Sequence, residues 1–256
     1  MMRLECRTEL ASAYKAPSQI VRVLSEEWCA RELYCPACDS NQLSRSRNNT
    51  PGVDFSCPGC AQPFQLKSLK HWFPKKIVDA GYDAMVRCIR ADMAPNLLLL
   101  NYTSEWLVRN LVLIPRVFFS ESVIEKRKPL NVSARRAGWV GCNILLRQIP
   151  EDGRIAMVDD GFPVSPDRVR REFSRIRKLA EVPPSLRGWT VDVLNVIRSL
   201  GRSSFSLQEV YGGERELKVL HPHNQNIRPK IRQQLQLLRD SGLIEFVRPG
   251  NYAIRA

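Results

Sequence analysis

Two matched pairs of cysteines constrain this chain more than any other feature of its sequence. The motifs Cys35-Pro-Ala-Cys38 and Cys57-Pro-Gly-Cys60 are separated by 18 residues. Two thiolates from each pair make the tetrahedral set of four sulfur ligands that structural zinc prefers, each at about 2.3 Å. A redox motif would account for one pair but not for a matched second one. We therefore predict that all four cysteines bind one structural Zn²⁺, with no open position on the ion for a reactive water.

Charge is the second informative feature. The 256 residues include 39 Lys and Arg against 26 Asp and Glu, a formal net charge of +13. This excess favours a polyanionic partner, with nucleic acid as the first candidate and a merely basic, well-solvated surface as the alternative. No apolar run approaches the ~18 residues of a membrane span, and the N-terminus is charged where a secretory signal would be apolar. We expect no membrane partner and a reducing, cytoplasmic location.

Turn residues divide the chain into two predicted domains. The segment 180–188, AEVPPSLRG, contains two prolines and a glycine, and it follows a strongly charged segment. We assign residues 1–180 to a first domain that contains the cysteine loop at 35–60, and residues 188–256 to a second domain.

The first domain mixes helical and strand patterns. Apolar residues at helical spacing predict one helix through Leu24 and Trp28 and another from Ile77 to Cys88. Short apolar or alternating segments predict the strands VDFSC, FQLKS, NLLLLNYT, NLVLIP and RIAMV, and SPDRVRREFSRIRKL predicts a closing helix. This mixture places the domain in the α+β or α/β class.

The second domain has the pattern of a winged helix. Three amphipathic helices are predicted from WTVDVLNVIRSL, from SLQEVYGGERELKVL with Ser206 as its cap, and from NIRPKIRQQLQLLRDSG. The strands LIEFV and YAIRA follow, joined by a Pro-Gly-Asn turn, which is the expected wing.

The third of these helices has an exposed face suited to a major groove. A glutamine can pair with the N6 and N7 edge of adenine, and an arginine can pair with guanine O6 and N7. We predict Gln233 and Arg232 as base-reading residues, and Arg228 and Lys230 as phosphate contacts. A solvated helix face, or a surface that binds protein, is the alternative.

Residues on both sides of the second cysteine pair suggest a cation site. Asp54 precedes the pair, and Gln65 and Lys67 follow it on the same face of a predicted strand. Carboxylate and amide oxygens are suitable ligands for Mg²⁺, and Lys67 could orient an attacking water and offset phosphate charge. This pattern also occurs by chance, with surface Gln and Lys as the ordinary explanation.

A resemblance to a known family gives these residues more weight. The runs TPGVDFSCPGC, FQLKS, SARRAGWVGCNI and IRQQLQLLRD resemble, in this order, the family of the methyl-directed restriction endonuclease DpnI and the dam-replacing proteins. The resemblance covers both predicted domains nearly end to end. It implies a PD-(D/E)xK restriction-endonuclease-like core with a four-cysteine zinc insertion, followed by a C-terminal winged-helix domain. It also implies type II cleavage of double-stranded DNA at GATC sites whose adenine is N6-methylated.

The resemblance also implies roles for particular residues. Asp54 and Lys67 take the catalytic aspartate and lysine positions, and the catalytic Mg²⁺, or Mn²⁺, is assigned to Asp54, Gln65 and Leu66. Trp139, preceded by Arg135 and Arg136, becomes a candidate contact for the methyl group, with the arginines on phosphate; without the resemblance a core tryptophan would be the simpler interpretation. We expect adenine-methylated duplex DNA as the partner and a monomer in solution.

Gln65 departs from the family pattern, which has glutamate at this position. A neutral amide offers an oxygen but no charge, so metal affinity should fall. Other branches of the superfamily, resembling the Mrr group, carry Gln-x-Lys and remain nucleases. Two rivals stay open at this point: a non-cleaving DNA-binding regulator whose nuclease site has decayed, and a zinc-stabilised protein-interaction module.

Overall fold

The computed structural model of the protein describes residues 2–47, 50–72 and 74–255. Its chain forms two compact units, each assembled from three separate stretches of sequence. The first unit comprises Met1–Pro74, Pro95–Arg116 and Gly153–Ser174, and the second comprises Lys75–Ala94, Val117–Asp152 and Arg175–Ala256. Among the described strands only β3 (Pro63–Leu69) and β5 (Asn96–Tyr102) pair in parallel. The fold is therefore α+β.

The first unit is built on a seven-stranded sheet of order β1-β2-β3-β5-β6-β9-β10. Its strands are β1 (Ser44–Arg45), β2 (Phe55–Ser56), β3, β5, β6 (Val108–Ile114), β9 (Ile155–Asp159) and β10 (Phe162–Pro163). The predicted strands of this region are all confirmed. β5 and β6 are central, and nearly every one of their residues is buried, which explains why their sequences are continuously apolar.

Two helices accompany this sheet. The helix α1 (Pro17–Glu32) starts with proline at its first position, where a missing N–H costs nothing, and it buries Leu24 and Trp28 as predicted. The Trp28 indole donates a hydrogen bond to the Arg3 carbonyl at 2.9 Å. The helix α3 (Pro166–Arg175) buries Val169.

The second unit begins with a smaller sheet, and here one sequence prediction is wrong. Instead of a single helix from Ile77 to Cys88, the chain forms strand β4 (Ile77–Gly81) and then helix α2 (Tyr82–Arg90). The strand exists because it pairs with β8 (Gly141–Ile144), which in turn pairs with β7 (Ile124–Lys126). Along β4 the odd-numbered Ile77 and Asp79 are buried while Val78 is exposed, a period-two pattern that the helical spacing of apolar residues had concealed.

The C-terminal part of this unit is a winged helix-turn-helix domain. Its elements are α4 (Pro184–Ser199), β11 (Ser204–Ser206), α5 (Leu207–Tyr211), α6 (Glu214–Leu220), α7 (Ile227–Asp240), β12 (Ile244–Arg248) and β13 (Asn251–Ile254). The three strands pair in the order β11-β13-β12. Ser206 caps α5 in a reciprocal capping box with Glu209, which confirms its predicted role.

The predicted second helix of this domain is in fact two helices. Gly212 and Gly213 interrupt it, so that α5 ends at Tyr211 and α6 starts at Glu214. A Cβ built on Gly213 would lie 2.6 Å from the Cγ1 atom of Val196, so only glycine allows this close approach to α4.

Buried polar contacts join the winged helix to the rest of the second unit. The Asp192 carboxylate accepts a hydrogen bond from Ser122 at 2.8 Å and lies 2.7 Å from Nε2 of His221. Arg187, only 3% exposed, pairs with Asp92 at 2.7 Å. The winged helix therefore shares a core with Lys75–Ala94 and Val117–Asp152, and α4 begins within the proline-rich segment at which we predict the domain boundary. The boundary at residues 180–188 between two functional domains stays a prediction.

The helices are short. Among the residues that the structure describes, the two longest helices are α1 and α4, with 16 residues each. In the described part of the chain, no helix combines the length and the apolar character that a membrane crossing requires.

Candidate functional site

The four predicted cysteine ligands come together in the first unit. Their Sγ atoms all lie within 4.8 Å of one another, with 3.6 Å between Cys35 and Cys60 and 3.5 Å between Cys38 and Cys57. Tetrahedral coordination at about 2.3 Å would put sulfur atoms about 3.8 Å apart. The four-cysteine cluster therefore fits a zinc ion.

Backbone hydrogen bonds prepare the cluster for a cation. The N–H groups of Ala37 and Gly59 point at the Sγ atoms of Cys35 and Cys57, each at 3.3 Å. Although burial acts to raise it, hydrogen bonds from the backbone of Cys60 and Gly59 lower the pKa of Cys57 to about 6. Burial raises the pKa of Cys35. A bound cation would compensate the repulsion among four thiolates in this space.

An arginine from α3 donates hydrogen bonds to the loop that carries the first cysteine pair. Arg170 donates to the carbonyl oxygens of Cys35 and Ser40 at 3.2 and 3.4 Å, and its guanidinium lies over the Tyr34 ring, 5.4 Å from the centroid. Burial raises the pKa of Tyr34 to about 12. No sequence pattern predicts this contact, because 135 residues separate Arg170 from Cys35.

The second cysteine pair is the turn of the hairpin formed by β2 and β3. Phe55 pairs with Phe64 and Ser56 with Pro63, and Cys57 donates a backbone hydrogen bond to Gln62 at 3.0 Å. The four-cysteine cluster thus closes the hairpin.

This hairpin brings Asp54 beside the Gln-x-Lys segment. Asp54 donates its N–H to the Phe64 carbonyl at 2.8 Å, and its carboxylate accepts a hydrogen bond from the Leu66 N–H at 2.7 Å. Gln65 and Lys67 alternate with the fully buried Phe64, so both lie on the other face of β3. Leu66 is therefore available to the proposed cation site through its backbone, not through its side chain.

Glu26 on α1 is a second carboxyl group near Asp54 that sequence reasoning missed. Burial is the largest cause of its raised pKa; Arg22 and Arg45 act to lower it, and the like charge of Asp54 acts to raise it further. Its distance of 28 residues from Asp54 in the sequence hid this proximity. The hairpin therefore adjoins two carboxyl groups instead of one.

The raised pKa of Glu26 predicts that Glu26→Gln increases the stability of the folded protein in a pH-dependent way. Because the pKa of the folded state exceeds that of the unfolded chain, the protonated form is favoured by folding, and the charged form costs stability above the folded pKa. We expect Glu26→Gln to raise the unfolding temperature by roughly 1–2 °C at about pH 8 and by less at about pH 3, where the carboxyl is largely protonated in both states. Thermal unfolding at the two pH values measures this. The exposed Glu9→Gln is the control, and an equal gain at both pH values would contradict the assignment.

In the winged helix, α7 presents the predicted reading residues at its surface. Ile227, Ile231, Leu235 and Leu238 are buried, as expected from their spacing. Arg228, Arg232 and Gln233 are exposed. Lys230 differs, because it is half-buried with its Nζ atom 5.9 Å from the Trp189 ring centroid, and burial lowers its pKa.

Neighbouring side chains hold the exposed residues of α7. Arg232 donates to the Tyr211 hydroxyl at 2.9 Å, and Arg228 pairs with Glu214 at 2.9 Å. The Gln233 amide oxygen accepts a hydrogen bond from Gln234 at 3.3 Å. Gln234 is itself fully buried and accepts a hydrogen bond from Thr190 at 2.7 Å, which fixes the amide that orients Gln233.

Trp139 lies in a basic loop between β7 and β8. A Cβ on Gly141 would lie 2.9 Å from two atoms of its ring, and one on Gly81 would lie 3.4 Å from its Nε1, so the indole packs closely on two glycines. The Arg136 guanidinium lies over the ring, 4.6 Å from the centroid, while Arg135 is exposed. The indole is half-buried and already has neighbours, so a methyl group that approached the face under Arg136 would have to displace that guanidinium.

Two family models match the chain. Residues 2–182 match the model of the Dam-replacing family, and residues 185–254 match the model of the Dam-replacing HTH domain. The first match spans the cysteine cluster, the hairpin and the Trp139 loop. The second spans nearly all of the winged helix.

Proposed function

Because the chain belongs to the Dam-replacing family, we propose that it is a methylation-dependent type II restriction endonuclease. Its substrate is double-stranded DNA that carries N6-methyladenine, with GATC as the proposed site. Residues 1–180 form the nuclease domain, with a PD-(D/E)xK core, and residues 188–256 form the DNA-binding domain. The observation that supports this proposal best is the hairpin in which Asp54 meets the Gln-x-Lys segment beside the cysteine cluster.

The donor set of this hairpin suits a small hard cation. The Asp54 carboxylate, the Gln65 amide oxygen and the Leu66 carbonyl would hold Mg²⁺ or Mn²⁺, which would polarise the phosphate and stabilise the charge that develops in hydrolysis. Asp54 is oriented for this role by the Leu66 N–H. Lys67 directs the attacking water and offsets phosphate charge as the bond from phosphorus to the leaving oxygen breaks. The four-cysteine zinc site has all its positions filled by protein and supports the hairpin.

The basic residues of the second unit would bind the DNA. Arg232 and Gln233 read base edges in the major groove, with Arg228 and Lys230 on phosphate. Arg135 and Arg136 contact phosphate near the methylated adenine, and Trp139 contributes apolar surface to the methyl group.

Digestion of matched DNA tests the proposal. A plasmid with adenine-methylated GATC sites and its unmethylated copy are incubated with the protein, with and without chelator. We expect double-strand cleavage of the methylated plasmid only, lost on chelation and restored by Mg²⁺ or Mn²⁺ but not by Zn²⁺. Cleavage of both plasmids at equal rates would remove methyl dependence from the proposal, and cleavage of neither would remove the nuclease.

Gln65→Glu should lower the metal requirement. A carboxylate adds a charge to a site where the amide offers only an oxygen, so half-maximal cleavage should need about 10-fold less Mg²⁺. Titration of Mg²⁺ in the cleavage assay measures this, with the exposed Gln42→Glu as a control that adds the same charge elsewhere. An unchanged or higher requirement would place Gln65 outside the metal site.

Trp139→Ala should weaken the preference for methylated DNA. Loss of one buried methyl contact is worth about 0.8 kcal/mol, so the ratio of cleavage rates on methylated and unmethylated DNA should fall by about fourfold or more. Trp139→Phe keeps an aromatic ring against the two glycines and should keep part of the ratio. If Trp139→Ala left the ratio as it was, the indole would serve only to anchor its loop.

The neutrality of Gln65 favours one other candidate, a DNA-binding regulator that does not cut. Such a protein would bind methylated duplex DNA in the presence of Mg²⁺ but leave it intact, and Gln65→Glu would be the substitution most able to restore cleavage.

A further inference from the structure

One tyrosine contacts both exposed arginines at the N-terminal half of α7. Tyr211 is the last residue of α5. Its hydroxyl oxygen accepts a hydrogen bond from the Nη1 atom of Arg232 at 2.9 Å, and its ring lies under the Arg228 guanidinium, 5.0 Å from the centroid. Arg228 and Arg232 are four positions apart and so share one face of the helix. Tyr211 therefore stands between the base-reading and the phosphate-binding arginine that we propose.

Glu214 adds a constraint on the same arginines. It pairs with Arg228 at 2.9 Å, and both side chains are more than a third exposed. A DNA phosphate must compete with this carboxylate for Arg228, so the pair reduces the affinity for any sequence alike. Arg232 is different, because its partner Tyr211 is neutral and leaves the positive charge of Arg232 uncompensated.

Holding an exposed arginine matters because a free one has many rotamers. Binding to DNA restricts such a side chain to one rotamer, which costs conformational entropy. A side chain that is already held in its bound geometry loses less entropy on association. Bidentate pairing with guanine needs the guanidinium plane to be set correctly. The hydrogen bond to Tyr211 occupies one N–H, and the guanidinium keeps its remaining N–H groups for a base edge.

We propose that Tyr211 is a specificity-determining positioning residue, whose hydroxyl sets Arg232 in its base-reading orientation before DNA arrives. This rests on the proposed function, in which α7 reads the DNA. The hydroxyl acts on sequence discrimination through Arg232, and the ring supports Arg228.

Tyr211→Phe isolates the hydroxyl, since it keeps the ring beneath Arg228. The full chain, with chelator present to prevent cleavage, is titrated into labelled duplexes that contain methylated GATC, the same site with single base-pair replacements, or unrelated sequence. We expect Tyr211→Phe to reduce the ratio of affinities for the intact and the replaced site about fivefold at the pair that Arg232 reads. Affinity for unrelated sequence, the salt dependence and the unfolding temperature should not change. Tyr14→Phe, an exposed tyrosine of the first unit, is the control.

A double-mutant comparison separates positioning from general support. In an Arg232→Ala background, Tyr211→Phe should have no further effect on the ratio, because the group that it positions is gone. Additive effects, an equal loss for every duplex, or an unchanged ratio would each overturn the inference. If the wild-type protein itself did not discriminate among the duplexes, the proposed function would fail, and this inference with it; discrimination by the wild type that Tyr211→Phe leaves intact defeats this inference alone.

Discussion

Replacing Cys57 with serine should prevent zinc binding and abolish the proposed DNA cleavage. Cys57 is both a member of the four-cysteine cluster and the first residue of the turn that joins β2 to β3. Apparent binding free energies for structural zinc reach about 10–16 kcal/mol at neutral pH, comparable with the whole stability of a domain, about 5–15 kcal/mol. Without the ion, the hairpin that presents Asp54 and Lys67 should open.

Zinc content, protease sensitivity and cleavage measure the effect of Cys57→Ser. We expect the zinc content to fall to zero, new cleavage by protease within the first unit, and no nicking of methylated plasmid. DNA binding by the winged helix should persist, because its partners lie in the second unit. Cys88→Ser changes a thiol outside the cluster and should keep both zinc and activity. A zinc-free Cys57→Ser protein that still cuts would separate the ion from the active site.

Lys67→Ala should reduce the cleavage rate about 10²-fold to 10⁴-fold, the range typical for loss of a group that assists proton transfer. The substitution removes the positive charge beside the proposed water and phosphate. Because Lys67 lies on the face of β3 opposite the buried Phe64, the change should leave folding intact. Single-turnover cleavage of methylated plasmid at saturating protein measures the chemical step.

Matched controls make the result of Lys67→Ala specific. Lys178→Ala removes the same side chain from an exposed position and should cut at the wild-type rate. Binding of Lys67→Ala to methylated duplex in chelator should be within about twofold of wild type, since one phosphate contact contributes little to a multi-contact interface. A wild-type protein as inert as Lys67→Ala would support the non-cleaving regulator instead.

Local patterns in the sequence predicted the local parts of the site. The cysteine motifs, the strands that flank the second motif and the buried stripe of α7 all depend on residues close in the chain, and each is found in the structure. The family matches agree with the resemblance carried by the same segments. The roles of Asp54, Gln65 and Lys67 stay predictions, which the experiments above test.

The sequence failed where distant segments decide the structure. The strand β4 forms because β8 supplies its hydrogen-bonding partner more than 50 residues later. Arg170 reaches the first cysteine pair, and Glu26 lies near Asp54, through packing that no spacing reveals. Tyr211, which contacts two arginines of α7, lies directly before the break at Gly212 and Gly213. Helical periodicity alone did not predict this break.

The alternation of the two units along the chain has a consequence for how the protein is made. Six stretches alternate between the units, so the polypeptide passes from one to the other five times. The first unit is incomplete until its last stretch, which ends at Ser174, has left the ribosome. The second unit is incomplete until the C-terminal strands have also been synthesised. With synthesis at about 5–20 residues per second, a nascent chain would display unfinished sheet for many seconds. The cysteine loop, complete by Cys60, could take up its ion long before either unit is whole, and chains truncated between the two family matches should be degraded instead of surviving as separate domains.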